Sequence, residues 1–324
     1  LSLRAALLVA AAALGVAASS TLAGGGVWGA FAASTASAGN TITSAADFVA
    51  PKSSPTTIAK SAGGTPGFIK KGGTYFVYAN VTDSGNPASG VAGVTADVSA
   101  ITSGATAVAL SAGSFTVNGE TFNRRSASLT AGSTLAEGAL GYSLALTDLA
   151  GNSATESGLT VTVDNKVPTA TDVQTANGST TAGLAQLGDT ITFTYSEPPD
   201  PNSILAGWTG ASANVVVRLT NATNDTVTVF NSTNTTQLNL GSVSLGRSDY
   251  TTANLTFGAT GTASKIVLSG NSVVVTLGTQ SAAATTAAAT GTMVWTPSAS
   301  ATDRAGNAAS TTTATETGAA DKEF

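Results

Sequence analysis

Tyr142-Ser143-Leu144-Ala145-Leu146-Thr147-Asp148-Leu149-Ala150-Gly151-Asn152 is the stretch on which the fold turns. Tyr142, Leu144 and Leu146 alternate with smaller residues, the period of two that a strand shows when one face is buried. The run then stops on a turn: Gly151 can take positive φ, Asn152 tolerates it, and the Asp148 carboxylate can accept backbone N–H groups just ahead of it. Beyond the turn the alternation resumes, with Val161 and Val163 set against Thr in Leu159–Val163. The turn pentapeptide returns as Asp303-Arg304-Ala305-Gly306-Asn307, again between a strand-like run and a Thr/Ser-rich one. A repeated turn in a repeated setting marks a repeated module.

Working outward from the first copy, short β-branched and aromatic runs occur at Thr74–Val81, Val91–Val98, Thr106–Leu110, Ser114–Val117, Ser126–Leu129, Tyr142–Thr147 and Leu159–Val163. About seven such runs in roughly a hundred residues predict a β-sandwich over 74–165. A second, larger module is expected over 166–310. It opens on Gly188–Asp200, where Ile191, Phe193 and Tyr195 alternate with Thr, and continues through Asn214–Thr220, Asp225–Phe230, Lys265–Leu268, Ser272–Leu277 and Gly291–Trp295. Arg247–Ser264 shows no period and is left without an element. Residues 33–73, broken by Pro51, Pro55, Pro66 and the pairs Gly63-Gly64 and Gly72-Gly73, read as a flexible tether. Residues 311–324 read as a C-terminal tail.

Composition narrows the chemistry. The 324 residues contain no His and no Cys, which removes His-dependent base catalysis, Cys nucleophiles, usual zinc sites, iron–sulfur clusters and disulfides together. Thirteen Lys and Arg against eighteen Asp and Glu give a net charge of -5. Such a chain has no basic surface to follow a phosphate backbone, so nucleic acid is not an expected partner.

At the amino terminus a single cation, Arg4, precedes the apolar run Ala5–Ala18, which is short for a membrane span and has the layout of a secretory signal. Ala30-Phe31-Ala32 offers a small-x-small cleavage site, which bounds the signal at residues 1–32. The membrane is then engaged only through this segment if it is retained.

Resemblances to known families attach to these motifs. Asp-x-Ala-Gly-Asn before a final strand, followed by the junction Val161-Thr162-Val163-Asp164-Asn165-Lys166-Val167-Pro168, resembles bacterial immunoglobulin-like domains. Gly188–Pro198 resembles the opening of other bacterial surface β-modules. Gly26–Ala32 followed by Ser37-Ala38-Gly39-Asn40-Thr41-Ile42-Thr43 resembles the entry of camelysin/TasA-type matrix proteins, which implies export through a dedicated signal peptidase. Together they imply an all-β chain of two tandem immunoglobulin-like β-sandwich modules after a signal helix and a tether.

Carboxylates are the remaining candidates for chemistry. Asp189 and Glu197 fall on one face of the same strand, but about 26 Å apart at 3.3 Å per residue. A glycosidase pair needs roughly 5–9.5 Å. Calcium suits the composition better, since it takes oxygen donors from Asp, Asn and carbonyl groups. Asp83, Asp148, Asp164 and Asn165 are the expected ligands, gathered where module one meets module two; the alternative is that they only make turns. Trp208, between Gly207 and Gly210, either plugs the core or offers an aromatic surface to a glycan.

The expected function is that of a secreted or cell-surface scaffold without a reactive centre. It would serve adhesion or a biofilm-type extracellular matrix, with matrix components or further copies of itself as partners. Self-association is expected through strand edges that few charges protect. A glycan-binding adhesin and a carboxylate-based polysaccharide-cleaving enzyme are the alternatives.

Overall fold

The computed structural model describes residues 47–178 and 181–324. The signal segment, and residues 33–46 of the expected tether, lie outside the described residues. No described helix is long and apolar enough to cross a membrane.

The chain is all-β and forms two sheet systems, one per module. Module one contains β1 (Lys52–Lys60), β2 (Phe68–Ile69), β3 (Thr74–Thr82), β4 (Val91–Asp97), β5 (Val108–Val117), β6 (Glu120–Ser126), β7 (Leu129–Thr130), β8 (Gly138–Asp148) and β9 (Ser153–Val163). Its strands run in the order β1-β3-β6-β5-β4-β8-β9-β2, with β7 beside β3. β5 passes from one layer to the other, pairing β6 along most of its length and β4 at Val108 and Ala109. The alternating residues Tyr75, Val77, Ala79 and Val81 of β3 meet Leu144 and Leu146 of β8 and Val161 and Val163 of β9 in one buried cluster. This is the core that the period of two in Tyr142–Leu146 calls for.

Two expectations are corrected here. Residues 52–69 are not tether: β1 pairs antiparallel with β3 from Lys52↔Thr82 to Lys60↔Tyr75, and β2 pairs parallel with β9. Pro and Gly hid both strands because β1 is an edge, where Pro55 costs no ladder bond, and the register shift between Ser53 and Thr56 absorbs the irregularity. The run Ser126–Leu129 is a break between β6 and β7, and the strand before it begins at Glu120. There the charged pair Arg124-Arg125 masks the alternation. Arg125 is accommodated because its guanidinium lies 4.4 Å from the Phe76 ring centre and 4.3 Å from that of Phe115.

Module two contains β10 (Ala170–Ala176), β11 (Thr190–Tyr195), α1 (Pro201–Ile204), β12 (Ala213–Thr220), β13 (Thr226–Asn231), β14 (Gln237–Ser244), β15 (Leu255–Phe257), β16 (Ser264–Ser269), β17 (Ser272–Thr276), β18 (Val294–Thr296) and β19 (Ala314–Thr315). The order is β10-β11-β17-β16-β12-β13-β14-β18-β19, with β15 beside β12. Trp295 is fully buried at the centre, edge-on to Phe193 and Tyr195 at 5.2 and 4.9 Å between ring centres. Its indole N–H donates to the Leu240 carbonyl at 2.7 Å, so the large ring is packed without an unpaired donor.

The expected tail at 311–324 is also corrected. β19 pairs with β18, and Glu323 and Phe324 are buried at 1% and 2% exposure. Arg247–Ser264 is ordered by Tyr250, which is fully buried, and by β15.

Candidate functional site

Each copy of the Asp-x-Ala-Gly-Asn turn builds the same object. In module one Asp148 Oδ1 accepts the Asn152 N–H at 2.7 Å and Oδ2 accepts the Asn152 amide at 2.7 Å. In module two Asp303 Oδ1 accepts the Asn307 N–H at 2.8 Å and Oδ2 accepts its amide at 2.7 Å. Gly151 and Gly306 sit at φ of 91° and 94°, a conformation that the missing Cβ permits. The second amide hydrogen of each Asn reaches outside the turn: Asn152 donates to the Asp47 carbonyl and Asn307 to the Asp164 carbonyl, both at 2.9 Å. The turn therefore fastens the residue at which its own module begins.

That fastening assembles three carboxylates in each module. One oxygen each from Asp47, Asp83 and Asp148 lies within 4.8 Å of the other two, and so does one each from Asp164, Glu197 and Asp303. The members correspond one to one. Asp47 and Asp164 open their modules, Asp83 and Glu197 follow β3 and β11, and Asp148 and Asp303 come from the turns. The four residues expected to meet at one site are thus divided. Asp83 and Asp148 share a triad, whereas Asp164 belongs to the other. Asn165 joins neither: its side-chain oxygen accepts the Lys71 N–H at 2.9 Å and its amide donates to the Leu135 carbonyl at 3.0 Å.

Asp47, Glu197 and Asp303 were not among the expected ligands. The signal for Asp47 and its counterpart is the shared spacing Asp47…Pro51 and Asp164…Pro168. Glu197 follows the Ile191/Phe193/Tyr195 alternation just as Asp83 follows β3.

Electrostatics differ between the triads. Backbone N–H groups of Val49 and Ser89, at 2.9 and 2.8 Å, hold the Asp47 carboxyl below its ordinary range. Asp83 accepts the Gly90 N–H at 2.6 Å through Oδ2, while its Oδ1 is shielded from solvent and has no hydrogen-bond partner. In module two, burial and the neighbouring Asp164 and Asp303 charges push the Glu197 carboxyl up to about 7. Burial also raises Asp303, against the pull of its bonds to Asn307 and Gly306.

The second triad lies at the junction of the two modules, and the supposed tether makes that junction. Lys60, at the end of β1, pairs with the Asp200 carboxylate and donates to the Asp303 carbonyl at 3.1 Å. Both charged side chains are enclosed, at 10% and 1% exposure. Lys70 donates to the Gly306 carbonyl at 2.6 Å, and the Arg304 guanidinium lies 5.4 Å from the Phe68 ring centre. Asp200 is itself held as the N-cap of α1, with Oδ1 accepting the Asn202 N–H at 3.2 Å.

Trp208 is only 5% exposed, and its indole N–H donates to the Ala211 carbonyl at 2.5 Å. Of the two alternatives for this residue, the core plug is the one realised. It borders a shallow pocket with Leu205 and Asn214 but offers no open ring face. No family model and no curated protein matches this chain.

Proposed function

We propose that the protein is an exported, non-catalytic scaffold of the cell surface or extracellular matrix, in which two immunoglobulin-like β-sandwich modules act as one stiff unit. The observation that carries this reading is the enclosed Lys60–Asp200 pair with the Lys60 and Lys70 bonds to the Asp303 and Gly306 carbonyls beside it. A junction that encloses charge must hold its geometry, because an ammonium and a carboxylate removed from water are stable only while they remain together. Partners are matrix components or further copies of the chain. The β1 edge carries Pro55, Lys52 and a bulge, features that discourage edge pairing, so end-on association is favoured over fibre growth by strand addition.

Calcium at the two triads belongs to the same proposal. Three oxygen donors per site suit that ion, and the unpartnered Asp83 Oδ1 supports it. An ion at the Asp164/Glu197/Asp303 triad would stiffen the junction further.

The test is small-angle scattering and calorimetry on the full chain, with calcium and with chelator. One scattering envelope without inter-module bending supports a stiff unit; a broad distribution of inter-module angles rejects it. The pH response tests the ion separately. Because the folded Glu197 carboxyl titrates near 7 against an ordinary value of 4.5, the folded chain holds a proton that the unfolded chain has released between those values. This contribution to stability is complete below pH 4.5 and is lost as pH rises through 7. Without divalent ions the melting temperature should therefore fall across that window, and millimolar calcium should flatten the fall by replacing the proton. An unchanged curve removes calcium from the junction.

A carboxylate hydrolase is the second reading, favoured by that same glutamate, since a carboxyl still protonated near neutrality can serve as a general acid. Asp303 gives it little support, because both of its oxygens are already bound to its own turn. Polysaccharide cleavage that Glu197→Gln abolishes would replace the scaffold reading.

A further inference from the structure

Residues 314–324 are laid back onto module two. The Gln174 amide donates to the Thr317 carbonyl at 2.9 Å, and the Thr317 N–H donates to Asp172 Oδ1 at 2.8 Å. Gly291 N–H donates to the Asp321 carbonyl at 2.9 Å, and Gly183 N–H to the Phe324 carbonyl at 2.7 Å. Glu323 N–H donates to the Tyr250 hydroxyl at 2.8 Å.

This path brings together a third group of carboxylates, Glu316, Asp321 and Glu323, with one oxygen of each inside a 4.8 Å separation from the others. Glu323 is 1% exposed. Its Oε2 accepts the Thr175 hydroxyl at 2.6 Å, but its Oε1 has no hydrogen-bond partner. Glu316 Oε1 is likewise shielded and unpartnered. None of the ion pairs among the described residues involves any of the three. Three carboxylates so close together, with two of their oxygens shielded and unpartnered, call for positive charge between them. A proton shared between the two glutamates would satisfy two oxygens and leave Asp321 facing them uncompensated.

We propose that Glu316, Asp321 and Glu323 hold a divalent cation, which ties residues 316–323 to one another in the path that the hydrogen bonds lay against β10 and Tyr250. Calcium fits the donor set: every available ligand is a carboxylate oxygen, and the ion accepts an irregular arrangement of such donors where magnesium demands a near-octahedral one. No residue of the two module triads is shared with this site, so either proposal can fail without the other.

The experiment is equilibrium binding of radioactive calcium to the full chain and to its Asp321→Asn and Glu316→Gln variants, with hydrogen exchange of amides 316–324 as the second readout. Asp321 is exposed, so its variant carries little risk to folding, and near-ultraviolet dichroism of Trp295 verifies the core in both. The expected result is one ion fewer in each variant, with calcium slowing exchange about tenfold in the wild type only. Variants that bind as many ions as the wild type overturn the proposal. So does an exchange rate in this segment that calcium leaves unchanged, which would assign the two orphan oxygens to a shared proton. Asp303→Asn provides the control: ions lost there report on the junction triad and leave the Asp321→Asn difference intact.

Discussion

The turn at Asp148–Asn152 and the turn at Asp303–Asn307 share the paired bonds between Asp and Asn, although Gly306 alone also donates to its Asp carboxylate, and they face different surroundings. Around Asp148 the neighbouring Leu149 is 72% exposed, and Phe48, beside Asp47, is 80% exposed. The corresponding surface in module two is covered: Arg304, in the place of Leu149, reaches Phe68, and Lys60 and Lys70 bond the turn carbonyls. A motif of five residues thus determines its own geometry and fastens its own module, while the role of the surface around it depends on what packs there. In this chain one copy serves as a joint and the other presents the same shape with apolar side chains facing outward.

The comparison breaks most sharply at Lys60. Lys60→Ala leaves the enclosed Asp200 carboxylate without its cation, and the expected loss is about 3–5 kcal/mol. Calorimetry should then resolve two transitions where the wild type shows coupled unfolding. No residue at the Asp148 surface should have such an effect.

The two glycines provide the next contrast. Gly151→Ala and Gly306→Ala both force a side chain into positive φ, at a cost of about 1–2 kcal/mol each. Only at Gly306 does the added Cβ also meet a neighbour from module one, Lys60 Cδ at 3.3 Å; at Gly151 nothing lies within 4 Å. Chemical denaturation should therefore rank Gly306→Ala as the more damaging, and equal effects would mean that the junction yields freely.

Asn152→Ala and Asn307→Ala should each cost about 1 kcal/mol or somewhat more, since each leaves one oxygen of a buried aspartate and one carbonyl without the side-chain amide that donates to them. Equal losses in thermal unfolding would show that the turn works independently of its surroundings. The smallest effect is expected from Arg304→Ala, about 0.5 kcal/mol for a partly exposed cation over a ring. Leu149→Ala, at the matching and exposed position, should leave the melting temperature unchanged.

Much of this fold is legible in the residues. The alternations at Tyr142–Leu146 and Ile191–Tyr195 place their apolar members in the cores, because a period of two leaves a strand only one apolar face to bury. Some of the strands that escape notice do so because something else interrupts their pattern. β1 contains a proline, β6 contains two arginines, and β14 follows the Asn/Ser/Thr-rich turn at 232–236. Asp148 and Asp83 could be named as partners from type and setting. Their third member, Asp47, could not, because it lies about a hundred residues from Asp148 in sequence and is brought there by a bond from Asn152.

From its residues alone the chain is an all-β, two-module protein without histidine or cysteine chemistry, with a turn that repeats where each module closes. Those properties follow from composition and short-range periodicity, which act between neighbours in sequence. Which carboxylates meet, that Lys60 and Lys70 form a joint rather than a tether, and that Glu323 is enclosed were decided only by the tertiary structure. Enclosing a charge or assembling a triad depends on groups far apart along the chain, and their separation in space is set by how the sheets pack.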